Sequence, residues 1–214
     1  AEMFGMDDAL FFPTGSMANQ AAIKMHTQPG EQLICDKYAH VYNYEGGGVS
    51  FNSGVSCKLL DGSRGMVTAA QVEEAINPPD FYHSPLTSLV CLENTTNKGG
   101  GACYDWEVVK EIKEVCDKHH LGLHLDGARL WNAIVKTNQD PKEYGEVFDT
   151  VSVCFSKGMG TTIMGDWSIS ASSPSSPKKL RLILFLCDRR LLFSQALSSK
   201  DCRLLEQPVW KCGS

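Results

Sequence analysis

Short apolar runs alternate along this chain with stretches whose apolar residues recur at helical spacing. Strand-like apolar runs cover residues 31–36, 87–93, 121–125 and 151–155. Helical patterns lie between these runs, over residues 17–25, over residues 68–76 and from residue 105 onward. Strands that alternate with amphipathic helices predict an α/β fold, in which a mostly parallel sheet is covered by helices on both faces.

The predicted helices carry sequence signals at their starts. Thr68 and Gln71 have the spacing of a capping box, and Asp105 has the position of an N-cap. Gly15 and Ser16 open the first helix. In the helix after Asp105, three apolar residues are predicted to share the face that packs on the sheet: Val108, Ile112 and Val115.

Charged residues end three of the predicted strands, at the edge of a parallel sheet where ligands bind. Asp126 ends the run at 121–125, Lys157 follows the run at 151–155, and Glu93 ends the run at 87–93. A pyridoxal phosphate enzyme needs a lysine that forms a Schiff base and a carboxylate that keeps the pyridine nitrogen protonated. Either residue alone is typical of an ordinary turn. Together, Lys157 and Asp126 predict a pyridoxal phosphate site.

Five further residues are candidates for the same site. Gly15 and Ser16, at a helix start, offer backbone N–H groups and a hydroxyl to a phosphate, although such a pair is also an ordinary cap. His40 precedes a run of glycines and is suited to stack on a pyridine ring. Arg129 suits a carboxylate or a phenolate oxygen. His124 shares a strand face with Asp126, either as its support or as a core residue.

Composition narrows the classes of function. The chain has 214 residues, 43% of them hydrophobic, and a net charge of −5 without a basic cluster in its first 160 positions, which argues against a nucleic-acid partner. We find no run long enough to span a bilayer and no basic start typical of a signal peptide. The nine cysteines are scattered, as in a reduced, cytoplasmic or organelle-matrix protein. The histidine spacing predicts no metal site.

The composition changes near residue 164. We therefore predict a cofactor-binding large domain over 1–164 and an atypical tail over 165–214. The tail begins with a Ser/Pro-rich run and continues with a leucine-rich basic stretch at 180–190. One interpretation is a flexible linker followed by a membrane-surface helix. The other is a poorly ordered tail, read out of frame or spliced differently from the segment with which the domain evolved.

With these residues in place, the chain resembles the L-threonine aldolase family of fold-type-I pyridoxal phosphate enzymes. The matching motifs occupy residues 12–19, 39–41, 45–47, 92–95, 123–129 and 156–158. The most specific are Asp-Gly-Ala-Arg at 126–129 and Ser-Lys-Gly at 156–158. The resemblance implies an aminotransferase-like large domain, a homo-oligomer, and cleavage of L-threonine or L-allo-threonine to glycine and acetaldehyde.

The resemblance also implies a role for each candidate residue. Lys157 holds the cofactor, Asp126 pairs with the pyridine nitrogen, and His40 stacks on the ring. Gly15 and Ser16 take the phosphate. Arg129 lies near the ring oxygen and the substrate carboxylate. The predicted site therefore consists of Gly15, Ser16, His40, Asp126, Arg129 and Lys157. We predict Lys157, His40 and Asp126 as its catalytic members, with a small amino acid as substrate.

The chain departs from the family pattern in three places. Thr96 stands where the family usually has a histidine in reach of the substrate hydroxyl. The motifs begin inside the family's sequence, and the similarity stops shortly after Gly160. We therefore expect the border of the site and the small C-terminal domain to be missing and activity to be low. The alternatives are a non-catalytic isoform that keeps the fold and a β-eliminating lyase of the same fold type.

Overall fold

A seven-stranded sheet forms the centre of the structure. The computed structural model describes residues 1–157 and the backbone of residues 182–186. The strands are β1 (Asp8–Phe12), β2 (Gln32–Asp36), β3 (Ser56–Leu60), β4 (Thr87–Glu93), β5 (Gly122–Gly127), β6 (Thr150–Cys154) and β7 (Leu182–Leu186). The strand order is β1-β7-β6-β5-β4-β2-β3, and every pairing is parallel. The predicted parallel α/β fold is confirmed.

Helices connect the strands and cover both faces of the sheet. They are α1 (Gly15–His26), α2 (His40–Asn43), α3 (Gly48–Ser53), α4 (Ala69–Ala75), α5 (Trp106–Lys118), α6 (Leu130–Thr137) and α7 (Pro141–Val147). A short 3₁₀ turn, Glu2–Phe4, precedes β1. Within the described residues, no helix is both long and apolar enough to cross a membrane.

Alternating residues of each central strand face two different cores. On β2, Ile34 packs with helices α4 and α5, whereas Leu33 and Cys35 pack with residues of α1 to α3. On β5, Leu123 and Leu125 belong to the larger core, on the side of α4 and α5. Their neighbours of opposite parity therefore face α1. This alternation places the polar side chains of β5 beneath α1.

The predicted helix starts are confirmed. Thr68 and Gln71 form both hydrogen bonds of the capping box that begins α4. Asp105 accepts a hydrogen bond from the backbone N–H of Glu107 at the start of α5. The buried face of α5 lies one residue away from the predicted face. Its fully buried residues are Val109, Ile112 and Cys116. Val108 and Val115 are only partly buried against the same core, since the α5 axis presents the adjacent row to the sheet.

The leucine-rich stretch contains a strand rather than a helix. The backbone of Leu182–Leu186 pairs in parallel with β1 on one side and β6 on the other. An unbroken apolar run of this length is typical of a parallel strand covered on both faces, which explains why no helical stripe is visible in it. The surface-helix interpretation is therefore wrong for these residues. The rest of the predicted tail lies outside the described residues.

Candidate functional site

The candidate site lies at the carboxyl ends of β4, β5 and β6, next to the point where the strand order reverses. β2 lies between β3 and β4, so the chain progresses in opposite directions on either side of the β2–β4 pair. Such a reversal opens a crevice at the sheet edge. One cavity there is lined by residues from four elements and their loops: Gly15, Asn19, His40, Glu93, Asp126, Ala128, Arg129 and Lys157. Five of these are predicted site residues.

Asp126 lies at the base of this cavity and is 3% exposed. Its Oδ1 accepts a hydrogen bond from the Ala128 N–H at 3.1 Å, and its Oδ2 accepts one from Asn19 Nδ2 at 2.9 Å. Burial raises the pKa of the Asp126 carboxyl, and the nearby Glu45 adds to the rise. The next residue is Gly127, where a Cβ would approach the Ser152 carbonyl oxygen to 2.5 Å. Only glycine therefore fits at this position.

His40 stands at the side of the cavity and is held by a buried carboxylate. Its Nδ1 lies 3.0 Å from Glu45 Oε1, and its backbone N–H donates to Glu93 Oε2 at 3.1 Å. The hydrogen bond to Glu45 raises the pKa of the His40 imidazole, although burial opposes the rise. Gln20 Nε2 donates to the other oxygen of Glu45 at 2.6 Å. Glu45 thus fixes the orientation of the His40 ring.

Asn19 joins these groups and was not predicted from the sequence. Its Nδ2 donates to Asp126 Oδ2 at 2.9 Å and to Glu45 Oε1 at 2.8 Å. Its Oδ1 accepts from Ser152 Oγ at 2.8 Å and lies 3.2 Å from His124 Nε2. The available signal was a polar residue on the sheet-facing side of an amphipathic helix, one turn after the glycine-serine start. Sequence spacing alone could not identify its partners.

The helix α1 begins beside the cavity, as predicted. The Thr14 side chain caps it by accepting the Met17 N–H at 3.2 Å, and the helix has 12 residues. Gly15 lines the cavity, so the N-terminus of α1, where N–H groups lack intrahelical partners, borders it. Ser16 is half-buried and is not among the residues that line the cavity. Its phosphate role stays a prediction.

Lys157 and Arg129 bring positive charge to the same cavity. Lys157 is exposed and interacts with the Cys154 thiol. Burial raises the pKa of Cys154 to about 11, and the charges of Lys157 and Arg129 oppose this rise. Arg129 lies at the N-cap of α6, directly after the turn that follows Asp126. The predicted roles of both cations stay predictions.

Glu93 separates this cavity from a second one. The second cavity is lined by Glu93 together with residues that include Asp36, Thr96 and Lys98. Burial and the charge of Asp126 raise the pKa of the Glu93 carboxyl. The Thr96 hydroxyl donates to the Arg64 carbonyl oxygen at 2.9 Å. A threonine hydroxyl is not a base, so Thr96 cannot take the proton of a substrate hydroxyl as a histidine would.

The sequence predicted no metal site, and among the described residues one group has ligand-like spacing. One atom each from His40, Glu45 and Asp126 lies within 4.8 Å of the others. The Asn19 amide donates to both carboxylates, and His40 bonds Glu45. These hydrogen bonds suffice to explain why the three side chains lie together. We assign no cation to this group.

The chain is similar in sequence to known proteins over most of its length. The sequence model of the beta-eliminating lyase family matches residues 1–173. A low specificity L-threonine aldolase of Saccharomyces cerevisiae is 38% identical over 166 residues, which are 76% of this chain and 42% of that protein. Low-specificity L-threonine aldolase 1 of Arabidopsis thaliana is 34% identical over 208 residues, 91% of this chain and 58% of that protein. The chain spans about half the length of the curated relatives it matches.

The chain is also similar to the solved structure of a threonine aldolase. The threonine aldolase of Leishmania major is 26% identical, with a TM-score of 0.59, over 64% of this chain and 40% of that one. The family match covers all six predicted site residues and extends past the domain boundary predicted at 164. On the strength of that match, the chain belongs to the beta-eliminating lyase family.

Proposed function

We propose that this site binds pyridoxal phosphate and forms the cofactor-binding part of a carbon–carbon lyase. The proposed reaction is cleavage of L-threonine or L-allo-threonine to glycine and acetaldehyde. The observation that carries the proposal is one cavity lined by a buried carboxylate, a lysine, an imidazole and an arginine. The relatives from Saccharomyces cerevisiae and Arabidopsis thaliana are named L-threonine aldolases, which supports the substrate class. A homo-oligomer, which the resemblance implies, and a cytoplasmic location, which the scattered cysteines suggest, are also part of the proposal.

The donor set of the cavity fits this cofactor. Asp126 is buried and accepts hydrogen bonds from two N–H groups, which leaves acceptor capacity toward the cavity. A protonated pyridine nitrogen is a suitable partner, because a buried carboxylate is stabilised by a hydrogen-bonded cation. Lys157 lines the same cavity and supplies the amine that an aldehyde requires. The N-terminus of α1 supplies N–H groups to a phosphate.

Each residue has a distinct part in the proposed reaction. When bound, the cofactor supplies a ring that withdraws electrons from the substrate's Cα. Asp126 would pair with the ring nitrogen and keep it protonated, and Lys157 would hold the cofactor through its aldehyde and supply an amine that can carry protons. Arg129 binds the substrate carboxylate. His40 has Nδ1 engaged with Glu45, which leaves Nε2 to exchange a proton with the substrate hydroxyl.

A second candidate function is β-elimination from amino acids that carry a leaving group. The specific observation in its favour is that Thr96 stands where the family usually has a histidine, and its hydroxyl, which bonds the Arg64 carbonyl oxygen, is not a base. An eliminating enzyme removes the Cα proton and needs no base at a β-hydroxyl. The two candidates share Lys157 and Asp126 and differ in their products.

One purification distinguishes the candidates. The chain is prepared with pyridoxal phosphate, its visible absorbance is recorded, and product is measured from threonine and from a β-substituted alanine. Glycine release supports the aldolase, and release of pyruvate with ammonia supports elimination. A cofactor band without either product supports the non-catalytic isoform. No cofactor band at all contradicts the proposed function.

A further inference from the structure

A buried layer of polar side chains lies between α1 and the two strands beneath it. His124 and Asp126 on β5 are register partners of Thr150 and Ser152 on β6, and all four are buried. Their strand positions alternate with leucines and valines that face the opposite core. Asn19 and His26 on α1 complete the layer, seven residues apart on one helix face. This set of six residues is called the polar layer below.

The hydrogen bonds of the polar layer have determined directions. The Asn19 amide places its two donors on Asp126 and Glu45, both of which are acceptors when ionised. Its oxygen must therefore face Ser152 and His124, and both donate to it. A proton on His124 Nε2 follows from this arrangement. Burial lowers the pKa of His124 to about 3, so this ring is neutral and its Nδ1 is an acceptor.

The same reasoning extends away from the cavity. His124 Nδ1 lies 2.9 Å from Thr150 Oγ1, so the threonine hydroxyl donates to the ring. That hydroxyl has a single proton, so His26 Nε2, at 3.0 Å, must donate to the same oxygen. A continuous series of bonds therefore runs from His26 through Thr150 and His124 to Asn19. Reversing one member would leave two donors or two acceptors in contact.

We propose that Asn19 is a positioning residue of the cofactor site, whose amide is locked by Ser152 and His124 and holds Asp126 and Glu45 together. Because Glu45 also binds His40, the Asn19 amide connects Asp126, which would meet the ring nitrogen of the cofactor, with His40, which would stack on that ring. The inference rests on the proposed function only for the identity of the ligand that Asp126 meets.

The physical consequence concerns the charge of Asp126. Desolvation favours the neutral carboxylic acid, and the N–H donated by Asn19 favours the carboxylate. Replacing that donor by an apolar group would leave a buried carboxylate short of a partner, a loss typical of hydrogen bonds to charged groups. Pyridoxal phosphate binding should weaken by about tenfold to a hundredfold in Asn19→Leu.

Asn19→Asp provides a readout that a purely structural role would not give. A protonated aspartic acid can donate one of the amide's two hydrogen bonds, whereas the ionised form donates none and repels its neighbours. Cofactor affinity of Asn19→Asp should partly recover at mildly acidic pH and fall as pH rises, while Asn19→Leu stays weak throughout. The charged or titratable groups that face this position are His40, Glu45, Glu93, His124, Asp126, Arg129 and Lys157. A constant ratio of Asn19→Asp to wild-type affinity across pH overturns the proposal.

A second arm uses the cofactor-free protein and is independent of the proposed function. Long-range ¹⁵N–¹H spectra should show His124 protonated on Nε2, and the Asn19 side-chain amide should exchange slowly. Thr150→Val and Ser152→Ala should accelerate that exchange. Thr87→Val is the matched control, because Thr87 is a buried strand residue that also bonds two groups, Gln32 and the Asn77 N–H.

The outcomes of this arm are decisive for the layer itself. Faster exchange in Thr150→Val and Ser152→Ala, but not in Thr87→Val, supports the proposal. A proton on His124 Nδ1, or unchanged Asn19 exchange in both layer variants, overturns it. If the wild type does not bind pyridoxal phosphate, the proposed function fails, and this arm alone decides whether Asn19 is locked as inferred.

Discussion

At the scale of single residues, Asp126 has the most demanding environment in the site. Its carboxyl group is buried among other acids, and desolvation raises its pKa. Two N–H donors compensate part of this cost. The sequence predicted Asp126 from its place at a strand end, and the structure adds the donors that support its charge. In our proposal, the protonated ring nitrogen of the cofactor is a further hydrogen-bond donor to the Asp126 carboxylate.

Asp126→Asn tests this environment directly. The substitution keeps the shape but removes the charge, so the ring nitrogen loses the partner that keeps it protonated. We expect some cofactor binding to remain, and the barrier to substrate cleavage to rise by several kcal/mol, about a hundredfold or more in rate. Cofactor absorbance and single-turnover product formation measure the two effects separately, preferably in a longer protein that contains this chain.

Asp149→Asn is the matched control. Asp149 is a buried carboxylate beside the same sheet, and its Oδ2 accepts the Leu123 N–H at 2.8 Å, outside the cavity. Its loss should lower stability without changing the cofactor spectrum. Near-normal turnover in Asp126→Asn would contradict the proposed role of this residue.

At the scale of elements, the site depends on how α1 packs on β5 and β6. Apolar residues of one parity join these strands to the larger core, and polar residues of the other parity face α1. Burying so many polar groups is favourable only when all are hydrogen-bonded. This requirement fixes the register of α1 over the sheet, because a slip would break several buried hydrogen bonds together.

The polar layer predicts a pH dependence of stability. The pKa of His124 is about 3 in the folded protein, against an ordinary value of 6.5. Between these two pH values the unfolded chain binds a proton at His124 and the folded chain does not. Stability of the cofactor-free protein should therefore fall as pH decreases from about 6.5, by about 1.4 kcal/mol per pH unit from this residue alone. Urea unfolding at a series of pH values measures the slope.

His124→Gln should have a flatter slope in the same pH range, since glutamine does not titrate. The exposed histidine variant His83→Gln serves as the control and should keep the wild-type slope. Equal slopes in His124→Gln and wild type would show that His124 is not held neutral by the fold.

Helices and strands with a clear hydrophobic pattern could be predicted from the sequence. Strands that depend on pairing with a strand distant in sequence could not. The strands that carry Glu93 and Asp126 are bounded apolar runs, and both were predicted close to their observed limits. β1 was missed although four of its five residues are apolar, because the run is short and its partner β7 is distant in sequence. β7 was misread because an apolar run without periodicity fits a strand and a helix equally.

The candidate site shows the same division. Lys157, Asp126 and His40 could be predicted because they occur in combination: a lysine and a carboxylate each follow a strand-like run, and a histidine precedes a run of glycines. Asn19 and Glu45 could not be assigned, because their importance arises from hydrogen bonds across large sequence separations. Pair interactions of this kind leave no pattern in a single sequence.

At the scale of the whole molecule, the parallel sheet gathers five of the six predicted site residues around one cavity. Its strand reversal between β2 and β4 opens the cavity, and α1 contributes a helix N-terminus to it. The described part of the chain therefore brings an amine, a carboxylate, an imidazole and a helix N-terminus to one place. A ligand that meets all of them should stabilise the whole domain.

Pyridoxal phosphate should raise the temperature of unfolding of the chain. A ligand at a hundred times its dissociation constant adds about 2.7 kcal/mol to the stability of the folded state. Pyridoxal without its phosphate should give a smaller shift at equal concentration, because the α1 terminus then lacks an anion. Differential scanning calorimetry compares the two ligands, and equal shifts would contradict the phosphate role of Gly15 and Ser16.

The central claim is that Lys157 bonds the aldehyde of pyridoxal phosphate while Asp126 pairs with the ring nitrogen. Borohydride reduction of the loaded protein fixes this bond, and peptide mapping by mass spectrometry locates it. We predict that the cofactor is attached to Lys157, and that Lys157→Arg is not labelled. A label on Lys136 or on any other lysine, or no label on the loaded protein, would contradict the account.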